Sequence, residues 1–402
     1  MKVALLSSSF SPRNIGGTET YLERLVHQLN SRVELVVVTG PLLAPTAHPR
    51  GLESAKIREV SIGKPYPIWD WVNHHLITRI VWHVLDFHDS ISEQQIREVL
   101  REEDPDVVHT HNVRGLSMSA LALPLELGIP HVHTLHDFLL LSPLSNLLIG
   151  RMTVRPSGSF NRSYQRAMRR LTSGVRDLIG PSEYILDQHV QRGFFIQSRR
   201  HLLRMPLLTE APKMADSPRI ETPGQVSPRP AFLFVGVLEA SKGVPVLLKS
   251  IAQLAEIQAT FRIVGDGRLR ERVRQAAIAD PRIRFLGHVS NEELFSLFEN
   301  SDFLILPSLW PENAPMVISE ALSFGLGIIA SDVGGLSELV GDGGLLVKPG
   351  SPDELSRAIR FATREYLDHG RVPEAGTTRR NLPSMAGHLI ALIEIYRQAI
   401  SG

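Results

Sequence analysis

The chain has 402 residues, too many for one hydrophobic core, and the usual domain size of roughly 100 to 200 residues predicts two domains. Hydrophobic residues make up 43% and charged residues 21%, an ordinary globular balance. With 43 basic against 42 acidic side chains the formal charge is +1, which disfavours a protein that lives mainly on nucleic acid. The absence of cysteine excludes disulfides, thiolate metal sites and cysteine nucleophiles together, and suits a reducing, cytoplasmic compartment.

The first residues, Met1-Lys2-Val3-Ala4-Leu5-Leu6-Ser7, carry one charge and an apolar run that stops within about five residues, shorter than the core of a signal peptide. They predict a buried strand. Gly16-Gly17 then opens a helix whose apolar positions Tyr21, Leu22, Leu25, Val26 and Leu29 would face a sheet. Two glycines at a helix start leave amides accessible to phosphate, and the competing reading is a tight turn with no ligand. A second strand is expected from Val33 to Val38.

The stretch Lys64 to His88 carries Tyr66, Trp69, Trp71, Trp82 and Phe87. It reads either as an insertion packed on the first domain or as an aromatic surface for an acceptor or a membrane. Strands from Val107 to Thr110 and from His131 to Leu135 each bear a histidine pair at i, i+2 (His109 with His111, His131 with His133). That spacing places two rings on one face, but neither cysteine nor a carboxylate cluster accompanies them, so no metal is expected. Between Asn161 and Arg176, arginines 162, 166, 169, 170 and 176 flank an apolar stripe, giving a solvated face or an anionic-lipid site.

From Pro206 to Pro230 prolines and polar residues replace any apolar period, which marks a linker. Short strands then alternate with helical patterns at Phe232 to Val235, Arg262 to Val264, Ile283 to Leu286, Phe303 to Leu306 and Gly327 to Ala330. A last break, Arg371 to Pro383, precedes a helix with Met385, Leu389, Leu392 and Tyr396 on one stripe. The whole pattern is α/β: parallel sheets covered by helices, with ligands expected at the carboxyl ends of the strands. No uninterrupted apolar stretch reaches the length needed to span a bilayer, about 18 residues.

The segment Ile305 to Ala321 places Glu312 in a loop and Glu320, eight residues on, inside a helix that begins near Pro315. Such carboxylates suit two hydroxyl-bearing ends of one ligand, and the free amides at the helix start suit an anion between them. Taken alone, the pair also reads as a first-turn acid and a surface residue. Gly265-Asp266-Gly267 supplies only two glycines of a dinucleotide fingerprint, because position 270 is arginine, and is a poor signal for a nicotinamide enzyme.

In context the segment resembles the E-x7-E motif of glycosyltransferase family 4, retaining enzymes of the GT-B fold. Similar to that family are also Asn14-Ile15-Gly16-Gly17-Thr18-Glu19, Asp106 to His111, Thr134-Leu135-His136-Asp137, Pro181-Ser182-Glu183, Phe234 to Gly243 and Val264 to Gly267. The resemblance implies two Rossmann-like domains facing a cleft: an acceptor-side domain at 1–205, a linker at 206–230, a nucleotide-sugar domain at 231–380 and a crossover helix at 381–402 that packs back on the first domain. It implies transfer of a sugar from a nucleoside-diphosphate sugar to an acceptor hydroxyl with retention, without a metal or other cofactor. His136, Glu312 and Lys242 are the implied catalytic residues. Gly16, Gly17, Glu320, Met316, Val317, Gly236, Gly265 and His288 are the implied donor-binding residues.

One departure stands out: family members commonly carry arginine where this chain has Val237, so a diphosphate-binding cation is missing, and Arg13 and Arg268 are candidate replacements. An epimerase or phosphorylase of the same architecture, or a non-catalytic nucleotide-sugar-binding protein, stays open at this point. So does peripheral contact with the inner face of a membrane.

Overall fold

A computed structural model of the chain describes residues 1–8, 17–41, 55–68, 70, 74–143, 158–207, 229–369 and 382–402. Its contacts divide into two compact units, Met1–Leu203 with Ala386–Gly402, and Arg204–Met385.

The first unit is built on a seven-stranded sheet in the order β3-β2-β1-β4-β5-β6-β7. Its strands are β1 (Lys2–Ser7), β2 (Glu34–Thr39), β3 (Lys56–Glu59), β4 (Val107–Thr110), β5 (His131–Thr134), β6 (Asp177–Gly180) and β7 (Arg199–Leu202). All pairings are parallel, with Val3 opposite both Leu35 and Val107. The central strands β1, β2, β4 and β5 are buried along nearly their whole length, because helices cover both faces. Those helices include α1 (Gly17–Leu29), α2 (Leu76–Phe87), α3 (Ser90–Glu103), α4 (Leu123–Glu126), α5 (Ser159–Leu171) and α6 (Glu183–Val190). In α1 the predicted five, Tyr21, Leu22, Leu25, Val26 and Leu29, are the buried residues. Asp89 caps α3 by accepting from the Ser92 amide at 3.2 Å, and Ser182 caps α6 by accepting from Ile185 at 3.2 Å.

From Ala386 onward the C-terminal helix (Met385–Ser401) belongs to this unit, and Leu389, Leu392 and Tyr396 of its stripe are buried, as is Met385 at its start. Polar contacts fix its register. Tyr396 Oη and His109 Nδ1 share a proton at 2.7 Å, Tyr21 Oη and His388 Nε2 do so at 2.9 Å, and Arg176 and Arg199 donate to the carbonyls of Ala399 and Gln398.

The second unit holds a six-stranded parallel sheet ordered β10-β9-β8-β11-β12-β13. Its strands are β8 (Ala231–Val235), β9 (Thr260–Val264), β10 (Ile283–Gly287), β11 (Phe303–Leu306), β12 (Gly327–Ser331) and β13 (Leu345–Val347). Two apolar clusters sandwich the sheet, one around Phe232, Phe261 and Phe303, the other around Leu304, Ile318 and Ile328. The covering helices are α7 (Val244–Ala252), α8 (Arg270–Ala279), α9 (Asn291–Glu299), α10 (Met316–Ser323), α11 (Leu336–Val340) and α12 (Pro352–His369). A Ser290–Glu293 capping box starts α9.

Four strands fall outside the sequence expectation: β3, β6, β7 and β13. Strands β3 (Lys-Ile-Arg-Glu) and β7 (Arg-Arg-His-Leu) are edge strands of charged and polar residues, exposed or half-buried, several of them paired with the buried carboxylates Glu103 and Asp177, and β13 is three residues long, so none shows an apolar period. Strand β6 is only four residues and opens on a buried aspartate, Asp177, held by Arg199 and His201. Pro315 caps α10 from outside, with extended backbone, and does not occupy the first helical turn; helical geometry starts at Met316. Most of the expected linker, 208–228, lies outside the described residues.

Candidate active site

In the second unit, strand order reverses direction at β8: the chain runs outward to β9 and β10, returns to β11 beside β8, and continues to β12 and β13. Adjacent strands whose connections leave in opposite directions open a crevice at their carboxyl ends. The loop after β8 carries Lys242 and the loop after β11 carries Glu312. Lys242 Nζ donates to Glu312 Oε1 at 2.7 Å and stands 4.9 Å from the centre of the Trp310 ring. Ser308 Oγ and Trp310 Nε1 donate to the same oxygen, each at 2.7 Å. Glu312 is buried, and three converging donors, one of them cationic, hold its carboxylate in place. The loop bends at Leu309 and Trp310, and the side chains of Ser308 and Trp310 converge on Glu312 Oε1. Neither Ser308 nor Trp310 is singled out by the sequence, because their contacts with Glu312 depend on how the loop bends.

Backbone contacts force these loops together. Leu309 N donates to Ser241 O at 2.7 Å, and a Cβ at Gly243, whose φ is +74°, would lie 1.7 Å from the Pro307 carbonyl oxygen. On the other side Glu312 forms a β-bridge with Gly334, and its carbonyl accepts from Gly335 N at 2.7 Å. A side chain at Gly334 would strike the Glu312 backbone at 2.3 Å. The glycines therefore position Glu312 from both flanks.

Glu320 lies in the second turn of α10 and is buried, which removes the surface-residue reading. Met316 and Val317 supply first-turn amides of that helix, half-buried. Gly236 and Gly265 meet backbone to backbone: a Cβ at Gly265 would be 1.9 Å from the Gly236 carbonyl oxygen, so loop packing by itself accounts for glycine at 265. His288 is exposed after β10 and Arg268 is exposed after Gly267. No described contact brings either to the Lys242–Glu312 pair. Val237 is 49% exposed, an apolar side chain at the loop surface. Gly17 is the exposed first residue of α1, while Gly16 and Arg13 lie outside the described residues.

In the first unit the direction reverses between β1 and β4, and a pocket enclosing about 300 Å³, mouth included, opens beside β4 and β5. His111, His133, Thr134, His136 and Asp137 line it. His136 Nε2 shares a proton with His111 Nδ1 at 2.8 Å, and among the described residues the buried Nε2 of His111 has no hydrogen-bond partner. The histidine pairs also bond neighbouring side chains. His109 bonds Tyr396 and Thr134, while Thr110 Oγ1 lies 2.7 Å from His131 Nε2 and 2.8 Å from His133 Nδ1. Burial pushes the His136 imidazole down to about 4 and His131 to about 3; His109, His111 and His133 are held well below the usual value by burial and by neighbouring histidines. All are neutral at pH 7, so His136 offers a hydrogen bond there and not a charge.

The aromatic stretch divides. Tyr66 and Trp82 are buried, with Trp82 Nε1 donating to Tyr66 O at 2.8 Å, and Phe87 is half-buried against the unit's core. Trp69 and Trp71 lie outside the described residues. An aromatic contact surface made by Tyr66 and Trp82 is thereby ruled out; they belong to the interior.

Two family models match the chain, "Glycosyltransferase Family 4" over residues 15–201 and "Glycosyl transferases group 1" over residues 229–364, one on each unit. Among curated proteins, the chain is 25% identical to a phosphatidyl-myo-inositol mannosyltransferase of Mycobacterium leprae, covering 90% of this chain and 87% of that one. It is 27% identical to a D-inositol 3-phosphate glycosyltransferase of Paenarthrobacter aurescens, covering 81% and 79%. Among solved structures, HepE of Anabaena in complex with UDP and glucose superposes with a TM-score of 0.69 at 18% identity, covering 99% of this chain and 100% of that one. Two parallel-sheet α/β units with GT-B neighbours, each matched by its own family model, place the chain in glycosyltransferase family 4, as a glycosyltransferase of GT-B type.

Proposed function

We propose that the chain is a retaining glycosyltransferase that moves a sugar from a nucleoside-diphosphate sugar to an acceptor hydroxyl in glycan or glycolipid synthesis. The observation that carries this reading is the Lys242–Glu312 pair at the switch point of the second unit, fixed by Ser308 and Trp310. Lys242 uses one of its three N–H donors on Glu312 and has others for the diphosphate, whose charge grows as the bond from the anomeric carbon to phosphate breaks. Glu312 orients the hydroxyls of the transferred sugar. Glu320, buried one helix turn beyond the amides of Met316 and Val317, takes the ribose hydroxyls while those amides face phosphate or sugar.

The new bond joins the acceptor oxygen to the anomeric carbon on the face the phosphate leaves, and the acceptor proton passes to the departing phosphate oxygen. The acceptor side is assigned to the first unit, where neutral His136 hydrogen-bonds a sugar hydroxyl. The complex of HepE with UDP and glucose supports a nucleotide-sugar donor. No metal or other cofactor has a part in this scheme. Incubation with UDP-, GDP- and ADP-sugars and sugar acceptors, read by proton NMR of the product's anomeric coupling, tests it. Net retention supports the reading. Inversion refutes it, and so does release of an epimer or a sugar phosphate with no glycoside formed.

A further inference from the structure

Helix α2 is inside out. Its ionisable residues Arg79, His83 and Asp86, with Trp82 among them, recur at i, i+3, i+4 and i+7 and turn inward, whereas Ile77, Ile80, Val81, Val84 and Leu85 form the solvent face. Ile77 and Val84 are 76% and 69% exposed, and Ile91 at the start of α3 is also exposed. An ordinary surface helix does the reverse.

The inward face is held by specific polar contacts. Fully buried Lys64 donates to Asp89 Oδ2 and to the Leu116 carbonyl, both at 2.6 Å, and lies 3.4 Å from Asp86. Asp86 accepts from Gly115 N at 2.8 Å, and Arg79 Nε donates to the His74 carbonyl at 2.6 Å. Asp86 is the member of this cluster that α2 carries, and rolling α2 over would withdraw it from Lys64 and from the Gly115 amide and bring Trp82 into water, so the aliphatic stripe cannot turn inward without breaking a buried ion pair.

Helix α5 stands near it. Both helices pack on the 3₁₀ turn Met118–Ala122, and Phe87 at the end of α2 joins the core cluster that holds Met168 of α5. The exposed residues of α5 include Arg162, Arg166 and Arg170, spaced four apart, while Met168 and Gln165 face inward. An aliphatic stripe with a row of arginines on a neighbouring helix matches one kind of surface, apolar just below and negative on top.

We infer that α2 and α5 form a docking face for an anionic lipid bilayer, with Ile77, Ile80, Val81 and Val84 entering the interface and Arg162, Arg166 and Arg170 pairing with headgroup phosphates. The inference stands apart from the proposed transferase chemistry, since it uses neither Lys242, Glu312 nor His136. Among the described residues no helix is long and apolar enough to cross a membrane.

Flotation of the full chain with vesicles of phosphatidylcholine alone, and of phosphatidylcholine with 30% phosphatidylglycerol, tests it. The mixed vesicles should retain the protein at least tenfold better. Val84→Glu with Ile80→Glu should abolish retention, Arg162→Glu with Arg166→Glu should weaken it tenfold and remove its salt dependence, and both variants should keep the wild-type circular dichroism. Three results overturn the inference: no retention of the wild type, equal retention on both vesicles, or a lipid-free dimer in sedimentation equilibrium that Val84→Glu dissociates, which would assign the stripe to a second copy of the chain.

Discussion

Acidification to pH 5 should destabilise the first unit and leave the second almost untouched. The first unit buries His109, His111, His131, His133 and His189, whereas the described histidines of the second unit, His288 and His369, are exposed. Burial holds His131 at about 3 and His189 at about 4, against roughly 6.5 in an unfolded chain. Between those limits the unfolded chain binds protons that the folded chain does not, so stability falls as pH falls. From pH 7 to pH 5 each of these two rings contributes a loss of about 2 kcal/mol, about 4 together, and His109, His111 and His133 act in the same sense. Asp86, pushed up to about 6 by burial, opposes them but returns only about 1 kcal/mol over that interval. Against a typical domain stability of roughly 5–15 kcal/mol, the loss is large. Urea titrations at pH 7, 6 and 5, with hydrogen exchange followed separately in peptides of β4–β5 and of β11–β12, would measure it. His189→Asn, which keeps a donor for the Ile185 carbonyl, should remove about 2 kcal/mol of the pH sensitivity. If both units lose stability equally, or the first unit holds until pH 4, the histidines are not the cause.

Other consequences are simpler to read. Gly243→Ala should destabilise the second unit by about 3 kcal/mol or more in urea, because the added carbon meets the Pro307 carbonyl and φ is positive. Lys242→Met leaves buried Glu312 with two donors in place of three, and should lower kcat/KM for donor roughly 100-fold at nearly unchanged circular dichroism. Tyr396→Phe should cost about 1–3 kcal/mol by orphaning His109 Nδ1, seen as a lower melting temperature of the first unit. His136→Ala should slow turnover while donor affinity stays within a few-fold, and an unchanged kcat would remove His136 from the reaction.

Much of this architecture was legible because the central strands and the covering helices carry strong apolar periods: the buried set of α1 and the stripe of the C-terminal helix follow directly from spacing. Strands β3 and β7 were not legible, since an edge strand with water on one side has no need of apolar residues. At the site, the acidic residues and the lysine stood out by type and loop position. Their union did not, because it depends on Gly243 meeting Pro307 and Gly334 meeting Glu312, contacts between segments far apart in sequence. For Gly265 and Gly267 the structure adds a reason that spacing does not reveal: a side chain at either would strike the backbone of Gly236 or Leu238. The outward stripe of α2 carries a strong helical period, but period alone does not say which face turns inward; buried Lys64 does.

The central claim is that the β8–β11 switch point of the second unit binds the donor. Isothermal titration of the wild type, Lys242→Met and Glu320→Ala with UDP-, GDP- and ADP-sugars tests it most directly. One donor should bind the wild type, and Glu320→Ala and Lys242→Met should each weaken that donor at least tenfold. A donor bound equally well by all three proteins would contradict the account.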